Sequence, residues 1–444
     1  MKTYAPVTEA VLDALKTIVG AEYVLTEPEK LEQYQTDEET DPRKFHLPEA
    51  VVLPKDAQEI AAVIKLANTY DVPVTVRSGG TSLAGGAIPV CGGIVLLMER
   101  LNKIIELNAE GMYMEVEAGV RTVDIQKYAN EAGFLYAGDP CSADSCLIGG
   151  NIATNAGGNK AVRYGTTRDQ KKSTGYCLEQ LIMGSEGTLG IITKATLKLL
   201  PLCPYKLDLL AIFTDLDKAV GLVPNLIKAG LNPTSVEFMD NAFVRSSSDY
   251  CELKLPHYED GFYVIVTVET FNEDELESKM EQLDEICSAS GATDVLEADD
   301  RVWKLRRNCL ESTRVLSLVS TSDDLVVPVD QIANCIRHLT KVAENYSFKL
   351  FTLAHAGDGN LHFQILKGEM SDEQWEDEVS RFHAEAYPYV YSLGGRLSGE
   401  HGIGAKKVEA MEKYTEPVEM KMMKEIKRAL DPKNILNPGK VFNA

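Results

Sequence analysis

Apolar and polar positions in the first two hundred residues switch between a helical period and a strand period. Asp56 followed by Glu59 has the form of an N-cap with its capping-box partner. The helix it opens carries Ile60, Val63, Ile64 and Ala67 on one face. A β-rich run over 72–76 follows, and further strands are predicted over 94–98, 112–120 and 190–200, with a helix over 123–132. The rhythm then changes. Strands over 207–213, 234–239, 262–270 and 294–298 alternate with helices over 216–228 and 273–289. That order, β-α-β-β-α-β, is the split unit of ferredoxin-like folds, and it predicts a separate α+β domain entered through the Pro201–Pro204 stretch. Helices over 302–316, 330–343, 372–391 and 417–430 complete the chain, the last one stopped by Asp431-Pro432.

A chain of 444 residues exceeds one ordinary core, so two or more domains are expected. The formal charge of −22 repels phosphate and argues against nucleic acid as a partner. No apolar run is long enough to span a bilayer, and the N-terminal residues lack the apolar core of a signal peptide. The nine cysteines are scattered, with no C-x-x-C pair. This pattern predicts reduced thiols and a cytoplasmic location, and it removes the usual ligand spacing for zinc ribbons and iron–sulfur clusters.

Three glycine-dense stretches stand in the first half: RSGGTSLAGG (77–86), GGNIATNAGG (149–158) and GSEGTLGII (184–192). Glycine and small hydroxyl residues let backbone N–H groups approach a phosphate closely. One such loop is usually a turn; three together predict an extended cofactor wrapped by several loops. Neither the G-x-G-x-x-G nor the G-x-x-x-x-G-K-[ST] fingerprint is present, which disfavours a standard nicotinamide or nucleoside-triphosphate site.

The second half holds HAGDGNLH (355–362) and SGEHGIG (398–404). With Asp358-Gly359 as a two-residue hairpin turn, His355 lies directly opposite His362, a pairing suited to a divalent metal. Glu400 is the natural third ligand. Consecutive side chains diverge in an extended segment, so Glu400 and His401 would do different work, one on the metal and one on substrate. His46, His257, His338 and His383 read as ordinary structural histidines. Arg306, beside Trp303, suits either a substrate carboxylate or an interhelical ion pair. Two histidines and a glutamate could also build a metal-dependent hydrolase, but that reading leaves three glycine loops idle.

Taken in order, the three glycine stretches, HAGDGNLH and GEHGIG resemble the FAD-linked D-2-hydroxy-acid dehydrogenases, a family within the vanillyl-alcohol-oxidase fold group. The similarity runs from about Val51 to the terminal NILNPGKVF (434–442). The resemblance implies a two-part FAD domain, 1–203 with a returning segment 413–444, enclosing a cap domain over 204–412 that carries substrate and metal. Arg77, Ser78, Gly79, Gly80, Thr81 and Ser82 would hold the FAD pyrophosphate. Pro140, Gly149, Gly150, Thr154, Asn155, Gly158, Glu186, Gly187 and Ile192 would line the cofactor, and Asn437 would be brought near it by the returning segment. His355, His362 and Glu400 would bind one divalent metal (zinc, iron or manganese), His401 would act as base and Arg306 would take the carboxylate. Relatives that tether FAD do so through a histidine where this chain has Thr81, so the flavin is expected to be non-covalent.

What the resemblance implies as activity is oxidation of D-lactate to pyruvate, with glycolate or another D-2-hydroxy acid as the alternative. The 2-hydroxyglutarate enzymes carry a lysine near the position of Ser322, and its absence favours a short substrate. With neither nicotinamide fingerprint nor iron–sulfur ligands, a protein acceptor such as an electron-transferring flavoprotein is expected; a flavin serving only as an electron relay is the other reading. Relatives also carry an additional strand-turn-strand between Gln170 and Lys171. Its loss would leave neighbouring strands unpaired, so the junction is expected to hide an omitted loop.

Overall fold

Seven antiparallel strands build the largest sheet of the protein. A computed structural model describes residues 2–165 and 176–444, and the Gln170–Lys171 junction lies outside them. In chain order the strands are β1 (Tyr205–Phe213), β2 (Ser235–Met239), β3 (Phe262–Thr270), β4 (Asp294–Glu297), β5 (Ser320–Val326), β6 (Lys349–His355) and β7 (Asn360–Leu366). Their spatial order is β4-β1-β3-β2-β6-β7-β5. The first four are the ferredoxin-like arrangement that the β-α-β-β-α-β rhythm predicts. The last three extend the sheet beyond β2.

The helices between these strands follow from local signals. Asp215 caps Leu216–Lys228 by accepting the Lys218 N–H at 3.1 Å, and that helix buries Val220, Val223 and Leu226. Asp240 caps a helix the hydrophobic pattern does not reveal, Asn241–Tyr250, which puts Phe243 and Val244 into the core. The single helix expected over 302–316 is two, Asp300–Arg307 and Cys309–Leu316, broken at Asn308. Strand β5 also departs from expectation. Ser320, Thr321, Asp323 and Asp324 are buried there, and so polar a run reads as a loop until its pairing to β7 is seen.

The chain divides into two units, one of Met1–Ala156, Thr166–Leu202 and His401–Ala444, the other of Gly157–Gly165 and Cys203–Glu400. The first unit contains a four-stranded sheet in the order Val24–Leu25, Ala50–Val52, Ile94–Leu97, Val74–Arg77, and a three-stranded antiparallel sheet of Ile104–Asn108, Tyr113–Glu117 and Lys194–Lys198. The helix opened by Asp56 runs Ala57–Tyr70, with Asp56 accepting from the Glu59 N–H and Ile60, Val63 and Ala67 buried. The last residues add to the edge of the four-stranded sheet. Asn437 N–H donates to the Val74 carbonyl at 2.7 Å, and Val74 N–H to that of Ile435 at 2.8 Å. No disulfide joins any of the nine cysteines. Among the described residues no helix is long and apolar enough to cross a membrane.

Candidate active site

The predicted metal triad assembles within the second unit, through a hairpin longer than the sequence implies. His355 pairs with Asn360, and Leu353 with His362. The turn is therefore Ala356-Gly357-Asp358-Gly359, four residues instead of two, and the histidines are diagonal instead of directly opposite. Two features lengthen it: the Asp358 carboxylate accepts from the Asn360 N–H, and Gly359 takes a left-handed φ of 86° with its carbonyl accepting from Val327 N–H. A shift of two positions preserves the face. The rings of His355 and His362 consequently still meet, their centroids 5.2 Å apart and perpendicular.

Glu400 Oε1 lies 3.3 Å from His355 Nε2 and 3.2 Å from His362 Nε2. One ligand atom from each of the three residues falls within 4.8 Å of the others. Asp324 of β5, which the sequence reading missed, holds the segment carrying Glu400. Its carboxylate accepts from Ser398 Oγ at 2.5 Å, from Gly399 N–H at 3.0 Å and from Glu400 N–H at 3.1 Å. Gly157 belongs to this unit too, and a Cβ there would stand 2.7 Å from Glu400 Oε2. The close approach of backbone to carboxylate explains a glycine at that point. Gly158 follows it in the same unit.

Electrostatics bind the cluster together. Burial works against charge on His355, yet the Glu237 and Glu400 carboxylates outweigh it and hold the imidazole well above its ordinary range. Burial pushes Glu400 up, but His355 and His362 win and hold it well below the usual carboxylate range. Two buried carboxylates thus demand positive charge here. Arg306 supplies it at Glu237; at Glu400 a divalent cation would supply it with His355 neutral. Glu237 Oε1 lies 2.8 Å from His355 Nδ1, leaving Nε2 as the ligand atom. This donor set fits a three-ligand metal site with open positions.

Arg306 is buried, and its Nε and Nη2 both donate to Glu237 Oε2, at 3.0 and 2.7 Å. That edge of the guanidinium forms an ion pair, the other of the two readings its sequence context allowed, though its partner is a strand residue. A substrate carboxylate would meet a guanidinium already held on that edge.

Two of the glycine stretches of the first unit meet the returning C-terminal segment. Arg77 closes the strand Val74–Arg77; Ser78, Gly79, Gly80 and Thr81 follow it, and Ser82 Oγ accepts from Gly86 N–H at 3.1 Å. Arg77 Nη1 donates to the Thr36 carbonyl at 2.6 Å, so this side chain braces the loop. The second glycine stretch opens with a short helix, Ile148–Thr154, instead of a loop, carrying Gly149, Gly150 and Thr154 and ending at left-handed Asn155. Pro140 accepts from Ala143 N–H ahead of it, and Ile192 packs beside two apolar clusters.

Glu186 is buried and gives its carboxylate to the Ile403 and Gly404 N–H groups, each at 2.7 Å. Gly187 follows with a φ of 72°. Asn437 Nδ2 donates to the Gly86 and Glu186 carbonyls, at 3.2 and 2.7 Å, tying two of the glycine stretches together. Its Oδ1 is buried and accepts no hydrogen bond among the described residues, which suits a donor from a bound cofactor. His401, the next residue after Glu400, opens the final segment of this unit.

Gly404 is the tightest point of that segment. It has a φ of 53°, and a Cβ there would stand 1.9 Å from the Ala84 carbonyl oxygen. The left-handed backbone alone costs a non-glycine residue about 1–3 kcal/mol. Gly404→Ala should therefore lower the melting temperature and reduce the FAD retained through gel filtration, read from flavin absorbance per protein.

Comparison with known proteins gives the family and the fold. Residues 48–178 match a family model described as an FAD binding domain, and residues 206–441 match the C-terminal domain of FAD linked oxidases. A D-lactate dehydrogenase of Anaerostipes hadrus is 33% identical over 99% of this chain and 98% of its own. Glycolate oxidase subunit GlcD of Bacillus subtilis is 33% identical over 90% of each chain. Among solved structures, p-cresol methylhydroxylase superposes with a TM-score of 0.80 at 16% identity, covering 99% of this chain and 98% of that one. A 4-ethylphenol oxidase from Gulosibacter chungangensis gives 0.77 at 17%, covering 99% of both.

The chain belongs to the FAD-linked oxidases, with the vanillyl-alcohol-oxidase fold and an inserted ferredoxin-like α+β domain. Within them it is an FAD-linked oxidoreductase of the D-lactate/glycolate dehydrogenase type.

Proposed function

We propose that this protein oxidises D-lactate to pyruvate, using FAD and one divalent metal, and passes the electrons to a protein acceptor such as an electron-transferring flavoprotein. The observation that carries the metal is the convergence of His355 Nε2, His362 Nε2 and Glu400 Oε1, with His355 held from behind by Glu237. Bound FAD would supply the two-electron acceptor, and the cation would supply Lewis acidity at the substrate hydroxyl. Arg306 orients the substrate through its carboxylate. His401 accepts the hydroxyl proton, the general-base role that imidazole fills near neutral pH. Glu186 and Asn437 brace the loops that hold the cofactor. Ser322 makes a hydrogen bond with Gln364 and offers no cation for a second carboxylate, which favours a short substrate.

Anaerobic mixing with D-lactate, L-lactate, glycolate and D-2-hydroxyglutarate, followed by flavin bleaching, tests this reading. D-lactate should bleach fastest; faster reduction by glycolate would move the assignment to the neighbouring activity. Acid precipitation of the same preparation should release the yellow colour into the supernatant, because Thr81 provides no attachment for the flavin.

A further inference from the structure

Glu237 is fully buried on β2, and four atoms from three side chains converge on its two carboxylate oxygens. Oε1 accepts from Ser235 Oγ at 3.3 Å and lies 2.8 Å from His355 Nδ1. Oε2 accepts from Arg306 Nε at 3.0 Å and Nη2 at 2.7 Å. The strand register imposes the first half of this arrangement. Glu237 and His355 are direct partners across β2 and β6, so their side chains leave the same face of the sheet. The second half comes from the helix Asp300–Arg307, whose last turn brings Arg306 to the other oxygen.

We propose that Glu237 is a positioning residue that fixes the metal-binding histidine and the substrate-binding arginine with one carboxylate. This rests on the reading of His355 as a metal ligand and Arg306 as the substrate's anchor.

The carboxylate fixes His355 in the tautomer whose Nε2 carries the ligand lone pair, and its charge makes that nitrogen a better donor. It holds the guanidinium through one edge, so Arg306 meets a substrate carboxylate in a set orientation at little entropic cost. The Arg306 guanidinium and the His355 ring in turn compensate an acid this deep in a strand whose other residues are Ser235, Val236, Phe238 and Met239. The distance between the metal and the substrate carboxylate is thereby set by one rigid side chain instead of two independent ones. A 2-hydroxy acid, with hydroxyl and carboxylate on adjacent carbons, is the substrate class that needs that distance held.

The test uses full-length Glu237→Gln and Glu237→Asp with FAD bound, after chelation. Zinc titration of each gives metal affinity, and steady-state turnover with D-lactate gives kcat and KM. Glutamine keeps the shape and one acceptor oxygen but loses the charge; aspartate keeps the charge but is too short to hold both partners. Glu237→Gln should weaken zinc binding about 10–100-fold, the usual effect of losing an outer-sphere partner, and raise the KM for D-lactate. Arg306→Lys should raise KM while leaving zinc affinity within about twofold, which separates the two arms. Glu237→Asp should recover part of both losses, and it carries the test alone if the glutamine variant does not fold. Wild-type zinc affinity and KM in either folded Glu237 variant would overturn the positioning role. Failure of the unmodified protein to bind zinc, or to be reduced by D-lactate, would instead overturn the functional reading beneath it.

Discussion

His362→Ala should lose the metal and flavin reduction together while keeping FAD. Among the three proposed ligands His362 gives the cleanest test. His355 also carries the contact to Glu237, and Glu400 carries the compensation for two imidazoles, so truncating either disturbs buried charge beyond the ligand itself. His362 Nε2 meets Glu400 Oε1 at 3.2 Å, and its truncation leaves one imidazole and one carboxylate, too few to hold a divalent ion firmly. The loss of metal affinity should exceed the roughly 10–100-fold that follows loss of an outer-sphere partner. Elemental analysis after gel filtration reads the metal, and anaerobic stopped-flow reads flavin reduction by D-lactate. FAD should stay at wild-type stoichiometry, because all its proposed ligands but Gly158 belong to a different unit of the chain. A fully metal-free protein that still reduces its flavin with D-lactate at the wild-type rate would contradict the assignment.

The second large effect is expected from the neighbouring residue, with the opposite pattern of retention. His401→Ala should keep both metal and FAD yet reduce its flavin about 10²–10⁴-fold more slowly, the usual contribution of a positioned general base. A lactate hydroxyl is far too weak an acid to release its proton unaided near neutral pH, so an acceptor for that proton is required. Loss of metal from His401→Ala would instead make His401 a ligand. The two adjacent residues Glu400 and His401 thus give distinguishable variants.

Much of the architecture was readable because it is written in local signals. The β-α-β-β-α-β rhythm, the cap at Asp56 and the stop at Asp431-Pro432 all act over a few residues, and the structure has an element at each. Two of the elements that escaped did so for opposite reasons. Strand β5 buries Asp323 and Asp324 against polar partners and backbone N–H groups, so its hydrophobic pattern is missing. The helix Asn241–Tyr250 is short and rich in serine, and only packing of Phe243 and Val244 accounts for it.

The residues of the candidate site show the same division. His355, His362 and Glu400 stood out by themselves, because histidines and a glutamate among glycine turns are unusual chemistry for a surface loop. Their register did not: a two-residue or a four-residue turn fits HAGDGNLH equally well. The Asp358 side chain and the carbonyl of Gly359 decide between them through contacts to the following strand and to Val327. Glu237 carried no signal at all. A single acid in an apolar run is indistinguishable from a solvent-facing strand position until the sheet order is known. Only the addition of β6 beside β2 puts it opposite His355, and only the packing of the helix Asp300–Arg307 gives it Arg306. Sequence by itself determined the elements and the chemically unusual side chains, since both depend on near neighbours. Tertiary structure alone decided which buried charges face one another, because an ion pair of this kind forms between residues far apart in the chain.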